Sequence, residues 1–269
     1  MRLFALVSLL ALGLVPTSPA SALLVNNGLA PPGHNVFDSG QLDDFLHVRN
    51  VGCGDPADAI TLSPCASPGA PTGALLDGAI LIAGILFVGD TSTATLAGGE
   101  VGQAYALGSA SLTMTGGDVV GLFAVGTSVP FQPGIVLVAD SASALITGGR
   151  MGNVWAGGQG MLTMTGGSFD HHFGATKFVA VDEGTLVLVG SQFAIDGAPV
   201  APGAISLANG LSLSGVFESG EAFDGTFRRE SGASILLVLP EPAAGATLGA
   251  AVLGLVAFAR RATGAPGSD

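Results

Sequence analysis

Two acidic residues, Glu100 and Asp118, each follow a Gly-Gly pair directly. Glycoside hydrolysis uses two carboxyl groups about 5 to 10 Å apart on one face, and equivalent positions of stacked repeats would lie that close. Arg150 and Ser168, however, take the same position after later Gly-Gly pairs. Such variation is typical of a solvated corner, and we predict no catalytic residue here.

A second group of polar residues has side chains that bind metals. Asp170-His171-His172 could be joined at a metal by Asp182 and Glu183. Adjacent residues of a strand point to opposite faces, so only one of the two histidines could serve a given site. A solvated loop is therefore favoured. Asp43-Asp44 could bind calcium weakly, but no EF-hand-type loop surrounds it. We predict no metal site and no cofactor.

The two cysteines, Cys53 and Cys65, lie in a stretch rich in Gly, Pro and Asp. In an oxidising compartment they can close a small loop through a disulfide bond, worth roughly 3 kcal/mol. A zinc site that adds His34 and His47 is the alternative. The spacing of these four residues matches no compact zinc motif, which favours the disulfide.

Composition and charge exclude several classes of protein. The 269 residues include 8 basic and 20 acidic side chains, for a net charge of −12. Nucleic-acid binding needs clustered cations that displace counterions from phosphates, so we predict no nucleic-acid partner. The 43 glycines show no collagen period, and a chain that is 48% hydrophobic is not typical of disorder. Nucleophile-elbow, phosphate-loop and zinc-protease motifs are absent from the sequence.

Residues 1–22 have the pattern of a secretory signal peptide. Arg2 supplies the positive charge, and the apolar run from Leu3 to Val15 is too short to span a bilayer comfortably. Ala20-Ser21-Ala22 then offers small residues where a signal peptidase requires them. We predict cleavage after Ala22, so that the exported protein begins at Leu23.

The C-terminal segment, 240–269, has an equally clear organisation. Pro240-Glu241-Pro242 precedes an uninterrupted run of small and apolar residues, 243–259, and Arg260-Arg261 follows. A helix of that length would be about 25 Å long, the lower limit for a bilayer span. The positive-inside rule places the arginine pair in the cytoplasm and the body of the protein outside. We predict a transmembrane helix over 243–259 that anchors the chain in the inner membrane; a buried core helix is the alternative.

This tail resembles the PEP-CTERM sorting signal, which is found in Gram-negative bacteria that make extracellular polysaccharide. The resemblance rests on the Pro-Glu-Pro tripeptide, the single apolar helix and the Arg cluster. It implies recognition by an exosortase, a membrane-embedded cysteine transpeptidase, and processing near the tripeptide. The protein would then reach the cell surface or the extracellular space. The segment after the arginine pair, 262–269, is longer than the corresponding segment in that family's pattern.

A strand-and-corner pattern recurs between the two ends. Leu112–Val119 is nearly repeated by Leu162–Phe169, and weaker copies start at Ala94, Ala144 and Leu186. Apolar residues alternate with Thr or Ser before the corner, which predicts a half-buried strand. Glycines then allow a tight corner with positive φ. Repetition of such units is typical of a solenoid, in which stacked rungs build a shared core.

We therefore predict an all-β chain with a single-stranded parallel β-helix, or solenoid, over 72–203. Residues 23–71 show no repeat and are predicted to form an N-terminal cap, and 204–239 a C-terminal β cap that protects the last edge. The intervals between the first glycines of the copies are 18, 32, 18 and 24 residues, and the longest predicts an outward loop over 126–139. These glycine-punctuated repeats are similar in composition to those of autotransporter-type surface proteins.

Aromatic residues recur seven positions after the first glycine of four copies: Tyr105, Phe123, Trp155 and Phe173. Equivalent positions of stacked rungs would form a ladder. An exposed ladder would be a stacking platform for the sugar rings of an exopolysaccharide, with Tyr105 and Trp155 as the binding residues. A buried ladder would fill the solenoid core. Val101 is an even number of residues from Tyr105, which favours the interior position.

These features together predict an exported, non-catalytic structural protein of the cell surface or biofilm matrix. A carbohydrate-binding module on a β-helix is the alternative, and a polysaccharide lyase or hydrolase comes third. Lyases need a cation near the uronate and a base, whereas the repeat region offers only Arg150 and Lys177 as cations. The predicted protein partners are signal peptidase and an exosortase-like transpeptidase.

Overall fold

The structure, a computed structural model, contains strands and no helix in the part of the chain that it describes. Within that part no helix has the length and apolar character to cross a bilayer. The predicted signal peptide up to Ser21 and the predicted transmembrane helix lie outside the described residues. The described residues are 22–25, 27–29, 35–38, 41–42, 45–51, 53, 68–120, 134–169, 176–206 and 208–241.

The described residues form strands β1 to β23. Their bounds are β1 Ala22–Val25, β2 Val36–Phe37, β3 Gln41–Leu42, β4 Phe45–Val48, β5 Gly73–Leu76, β6 Ile80–Val88, β7 Thr93–Leu96, β8 Glu100–Ala106, β9 Ser111–Met114, β10 Asp118–Val119, β11 Ile135–Val138, β12 Ser143–Ile146, β13 Arg150–Met151, β14 Asn153–Ala156, β15 Met161–Met164, β16 Ser168–Phe169, β17 Thr176–Ala180, β18 Thr185–Ile195, β19 Ala198–Pro199, β20 Gly203–Ala204, β21 Ser212–Phe217, β22 Ala222–Arg229 and β23 Ser234–Val238.

The strands stack in parallel as two series, which we call sheet 1 and sheet 2. Sheet 1 runs β1-β4-β6-β8-β11-β14-β17-β22. Sheet 2 runs β2-β5-β7-β9-β12-β15-β18-β23. From β5 to β17 each rung contributes one strand to sheet 2 and one to sheet 1. The short strands β10, β13 and β16 form a third parallel series, which continues from the first residues of β8. The all-β, mostly parallel prediction is confirmed, and the arrangement is consistent with a solenoid.

Aliphatic side chains from successive rungs meet in columns between the sheets. The alternation of apolar and hydroxyl residues in each sheet 2 strand sends every second side chain inward. One column joins Met114, Ile146 and Met164, which are direct partners on β9, β12 and β15 and are buried. Leu112 stands in the neighbouring column with Ala144 and Leu162. Because every rung adds to the same columns, the stack builds one shared core.

The corner from sheet 2 to sheet 1 uses the predicted Gly-Gly pairs. The second glycine has positive φ, 87° at Gly99 and 75° at Gly117. A Cβ atom on Gly117 would also lie 3.1 Å from the carbonyl oxygen of Gly99 in the rung below. Both the left-handed backbone and the close rung contact therefore require glycine there.

The corner from sheet 1 back to sheet 2 was not predicted. Aspartate and glycine alternate there from rung to rung, each with positive φ: Asp90, Gly108, Asp140, Gly158, Asp182 and Gly232. Aspartate tolerates this conformation because its short side chain can bond nearby backbone. The Asp140 carboxylate does so by accepting a hydrogen bond from the Gly108 N–H at 3.1 Å.

Four predicted segments differ from the structure. The predicted C-terminal cap, 204–239, contains the last rung of the stack, because β22 and β23 pair in parallel with β17 and β18. The stack begins before residue 72, because β1 and β4 of the predicted N-terminal cap pair in parallel with each other and with β6. The predicted loop over 126–139 includes β11, so the insertion ends earlier. The predicted corner at Gly190 is absent, because β18 continues through it and pairs antiparallel with β21.

Antiparallel strands lie at the C-terminal end of the stack. β20 pairs antiparallel with β23 in sheet 2, and β21 pairs antiparallel with β22 in sheet 1. They cover edges that would otherwise offer unpaired backbone groups. The chain divides into two units, Met1–Val238 and Leu239–Asp269, and the structure describes only 239–241 of the second.

Candidate functional site

The outer side of sheet 1 carries a second hydrophobic cluster, separate from the core. Its buried members are Phe87, Tyr105, Leu107, Ile135, Leu137 and Ala139, and Ile85 and Trp155 pack against them. Phe87, Tyr105, Leu137 and Trp155 are successive partners on β6, β8, β11 and β14. The predicted carbohydrate-binding residues Tyr105 and Trp155 therefore stand in one column, separated by Leu137.

The preference for an interior aromatic ladder was wrong. Val101 and Ala104 both point into the core although they are three residues apart, so the strand contains an extra residue between them. The pairing of β8 with the partner strand β6 also shifts register at this point, between Leu81 and Ile85. A one-residue shift moves all later side chains to the opposite face, which places Tyr105 outside.

The four-member ladder also differs in its composition. Phe123 and Phe173 lie outside the described residues. The strand partners of Tyr105 and Trp155 are not the aromatic residues that the spacing predicted. Leu137 stands between the two residues, and Val179 follows Trp155 on β17. His47, by contrast, extends the column at its other end as the partner of Phe87. Sequence spacing missed His47 because it precedes the first Gly-Gly pair.

Tyr105 is too buried to serve as a stacking platform. Its hydroxyl donates a hydrogen bond to Oε1 of Gln103, which is buried on the same face. Burial raises the pKa of Tyr105, because the phenolate would lose its hydration. Of the two predicted binding residues, only Trp155 keeps partial exposure.

Trp155 and Asn153 present polar atoms that lack partners. Among the described residues, Nε1 of Trp155 and Oδ1 of Asn153 are buried and make no hydrogen bond. An indole N–H donor and an amide oxygen acceptor two residues apart on a strand point to the same side. Because both atoms are buried, a hydroxyl-bearing ligand would reach them only if the surrounding side chains moved.

His47 and Arg49 close the N-terminal end of the cluster. The His47 ring lies 5.1 Å from the Phe87 ring, and the Arg49 guanidinium lies 5.8 Å above the same ring. Burial, with the nearby Arg49 charge as a further cause, lowers the pKa of His47 to about 4. Arg49 donates from Nε and Nη2 to the two carboxylate oxygens of Asp90 at 3.0 and 3.1 Å.

The proposed zinc ligands are not assembled in the described part of the chain. There, no group of three or more His, Cys, Asp or Glu side chains could hold a metal. Cys53 is disulfide-bonded, which removes the thiolate that zinc would need. His34 and the second cysteine, Cys65, lie outside the described residues, so the pairing of Cys53 with Cys65 stays a prediction.

Glu100 and Asp118 are direct neighbours at the first corner, as partners on β8 and β10. Arg150 is the next partner of Asp118 and pairs with it at 2.9 Å. Both side chains of that ion pair are exposed, at 51% for Arg150 and 38% for Asp118. The arrangement is typical of a solvated surface pair. Asp170, His171 and His172 lie outside the described residues.

Comparison with family models, curated proteins and solved structures finds no match. The faces of the stack and the two ends of the sequence are therefore the features that bear on function. Of the sorting residues, Pro240 and Glu241 directly follow β23 and Leu239. Pro242, Arg260 and Arg261 lie outside the described residues, as does Ala20 at the predicted cleavage site, whereas Ala22 begins β1.

Proposed function

We propose that this chain is an exported, non-catalytic structural protein of the cell surface or biofilm matrix, with a single-stranded parallel β-helix as its body. The observation that carries the proposal is the continuous parallel stack from β1 to β23. The described residues of the stack form its shared columns, its corners and the strands that cover its edges. Such a body is a spacer whose length grows with rung number.

The two ends supply the route. The signal peptide, cleaved after Ala22, would leave Leu23 to Val25 of β1 at the mature N-terminus. β23 ends two residues before Pro240-Glu241-Pro242. The folded body would therefore end where the sorting segment begins, and the helix 243–259 would hold it in the inner membrane. An exosortase-like transpeptidase would then process the tail and pass the body outward.

Mass spectrometry of the protein from its own cells tests this route. We expect a mature chain that begins at Leu23 and ends before Ala243. A variant with Pro240, Glu241 and Pro242 all replaced by alanine should keep its tail and stay in the inner membrane. An intact tail on the unaltered protein in every cell fraction would refute the proposed sorting.

A second candidate function is carbohydrate binding through Trp155. It is favoured by the position of Trp155 on the outer side of sheet 1, where its side chain keeps partial exposure. Titration of the protein with neutral and acidic exopolysaccharides tests it. Loss of binding in Trp155→Ala, with the fold retained, would support this function. Release of new reducing ends in the same mixtures would instead indicate a polysaccharide-degrading enzyme.

A further inference from the structure

The outer side of sheet 2 is an uncharged surface that remains accessible. We call it the sheet 2 face. Its side chains come from alternate positions of seven parallel strands, and none of those strands contains an acidic or basic residue. Hydroxyl and aliphatic side chains share this surface. Its members on the strands are Leu75, Thr93, Thr95, Ser111, Thr113, Ser143, Leu145, Met161, Thr163, Thr185, Val187, Ser234 and Leu236, all partly or fully exposed.

The charge of the chain makes this face distinctive. Acidic side chains stand at the two corners, as Glu100 and Asp118 at one and Asp140 and Asp182 at the other. With a net charge of −12, two copies repel each other in most orientations. The strands of the sheet 2 face bring no charged side chain into a contact between two copies, and the acidic corners stay at its two edges.

The size of the face is compatible with a weak contact. Seven strands at about 4.8 Å spacing extend about 30 Å, and four residues of each strand extend about 13 Å. Each copy therefore offers about 400 Å², and a pair would bury about 800 Å², which is the size of a weak, transient contact. Aligned packing of two sheets, face to face, is a common way to bury such surfaces.

The face has a defined centre. β12 is the middle strand of the seven, and Leu145 lies on it with 40% exposure. Met161, on the adjacent strand β15, is 49% exposed. A two-fold axis through the centre would place Leu145 against its own copy, whether the two stacks run parallel or antiparallel.

We propose that the sheet 2 face is a self-association surface, through which two copies of this chain pack in a weak and reversible dimer. Exposed apolar side chains become buried in the pair, while the acidic corners stay in solvent. The contact concerns the folded body alone, so it does not depend on the proposed export route.

Sedimentation of the protein, in the form that cells accumulate, tests the dimer. We expect a monomer–dimer equilibrium whose dissociation constant falls as salt screens the repulsion between copies. Leu145→Asp should raise that constant at least about tenfold, because it sets two carboxylates opposite each other. Leu145→Thr, which repeats the residue found at positions 95, 113 and 163, should change it far less.

Cysteine cross-linking gives a second readout that does not depend on affinity. Leu145→Cys should form an intermolecular disulfide on mild oxidation. Ser168→Cys, an exposed position of β16 that lies outside the sheet 2 face, should not. Circular dichroism of each variant confirms that the β fold is retained.

Three results would overturn the proposal: a monomer at every concentration and salt, a dimer unchanged by Leu145→Asp, or equal cross-linking through both cysteines. A monomer that binds a polysaccharide through this face, and loses the binding in Leu145→Asp, would assign the face to a different partner and would also refute the dimer.

Discussion

The two outer sides of the stack are built from the same repeated rung, yet they have opposite characters. The outer side of sheet 1 is apolar and aromatic, and most of its side chains are buried. The sheet 2 face mixes hydroxyl and aliphatic residues and stays accessible. The alternation within each rung of the stack therefore fixes the interior columns, whereas each outer side is free to acquire a separate role.

The buried ion pair between Arg49 and Asp90, on the sheet 1 side, gives the first test of this contrast between the two outer sides. Arg49 and Asp90 are 7% and 4% exposed, and Arg49→Ala removes two hydrogen bonds from that carboxylate. We expect a loss of about 3 to 5 kcal/mol in the free energy of unfolding, measured by urea denaturation. Arg150→Ala breaks the exposed pair with Asp118 and should cost less than about 1 kcal/mol. Similar losses in both variants would show that the two environments do not differ.

Histidine on the same side gives a pH dependence. The folded-state pKa of His47 is lowered to about 4 from a model-compound value of 6.5. Only the unfolded chain binds the proton between these values, so this contribution to stability is complete above the upper value and is lost as pH falls toward the lower one. Stability should drop by about 2 kcal/mol between about pH 7 and pH 5.

The variant His47→Phe isolates that effect, because phenylalanine keeps a ring against Phe87 and cannot titrate. Urea denaturation of this variant should show a smaller change over the same pH range. The remaining change would report the carboxylates that both proteins share. An identical pH dependence in the two proteins would contradict the burial of a neutral imidazole.

Trp155 should show a smaller effect, since it lies at the margin of the sheet 1 cluster and keeps partial exposure. Trp155→Ala is expected to cost about 2 kcal/mol by thermal or urea unfolding, below the cost of truncating a fully buried tryptophan. Trp155→Phe should cost less than about 1 kcal/mol, because Nε1 has no described partner to lose. A larger cost for phenylalanine than for alanine would contradict this placement.

The sequence predicted the rung well and the outer sides poorly. The alternation in Leu112–Val119 determines which side chains enter the core, and the Gly-Gly pairs show where the chain must turn. The side of Tyr105 could not be predicted, because the extra residue near Gly102 reverses the face without altering the pattern before the corner. The rung of β5 and β6 has Asp77-Gly78 in place of a Gly-Gly pair, with φ of 108° at Gly78, so the repeat was first recognised at Ala94.

The second corner was missed for a related reason. Asp90, Asp140 and Asp182 adopt the positive φ that glycine adopts in the alternate rungs. A pattern based on glycine alone therefore identifies only every second one of these corners. Aspartate at that spacing, preceding Ser, Thr or Glu, is the signal that would have revealed it.

One pair of matched leucines measures the contrast between the two sides most directly. Leu137 is 4% exposed on the outer side of sheet 1, and Leu145 is 40% exposed on the sheet 2 face. In dilute solution, Leu137→Ala should lower the free energy of unfolding by about 2 to 4 kcal/mol and Leu145→Ala by less than about 1 kcal/mol. Equal losses, or a larger loss at Leu145, would contradict the assignment of sheet 1's outer side to a second core and of the sheet 2 face to an open surface.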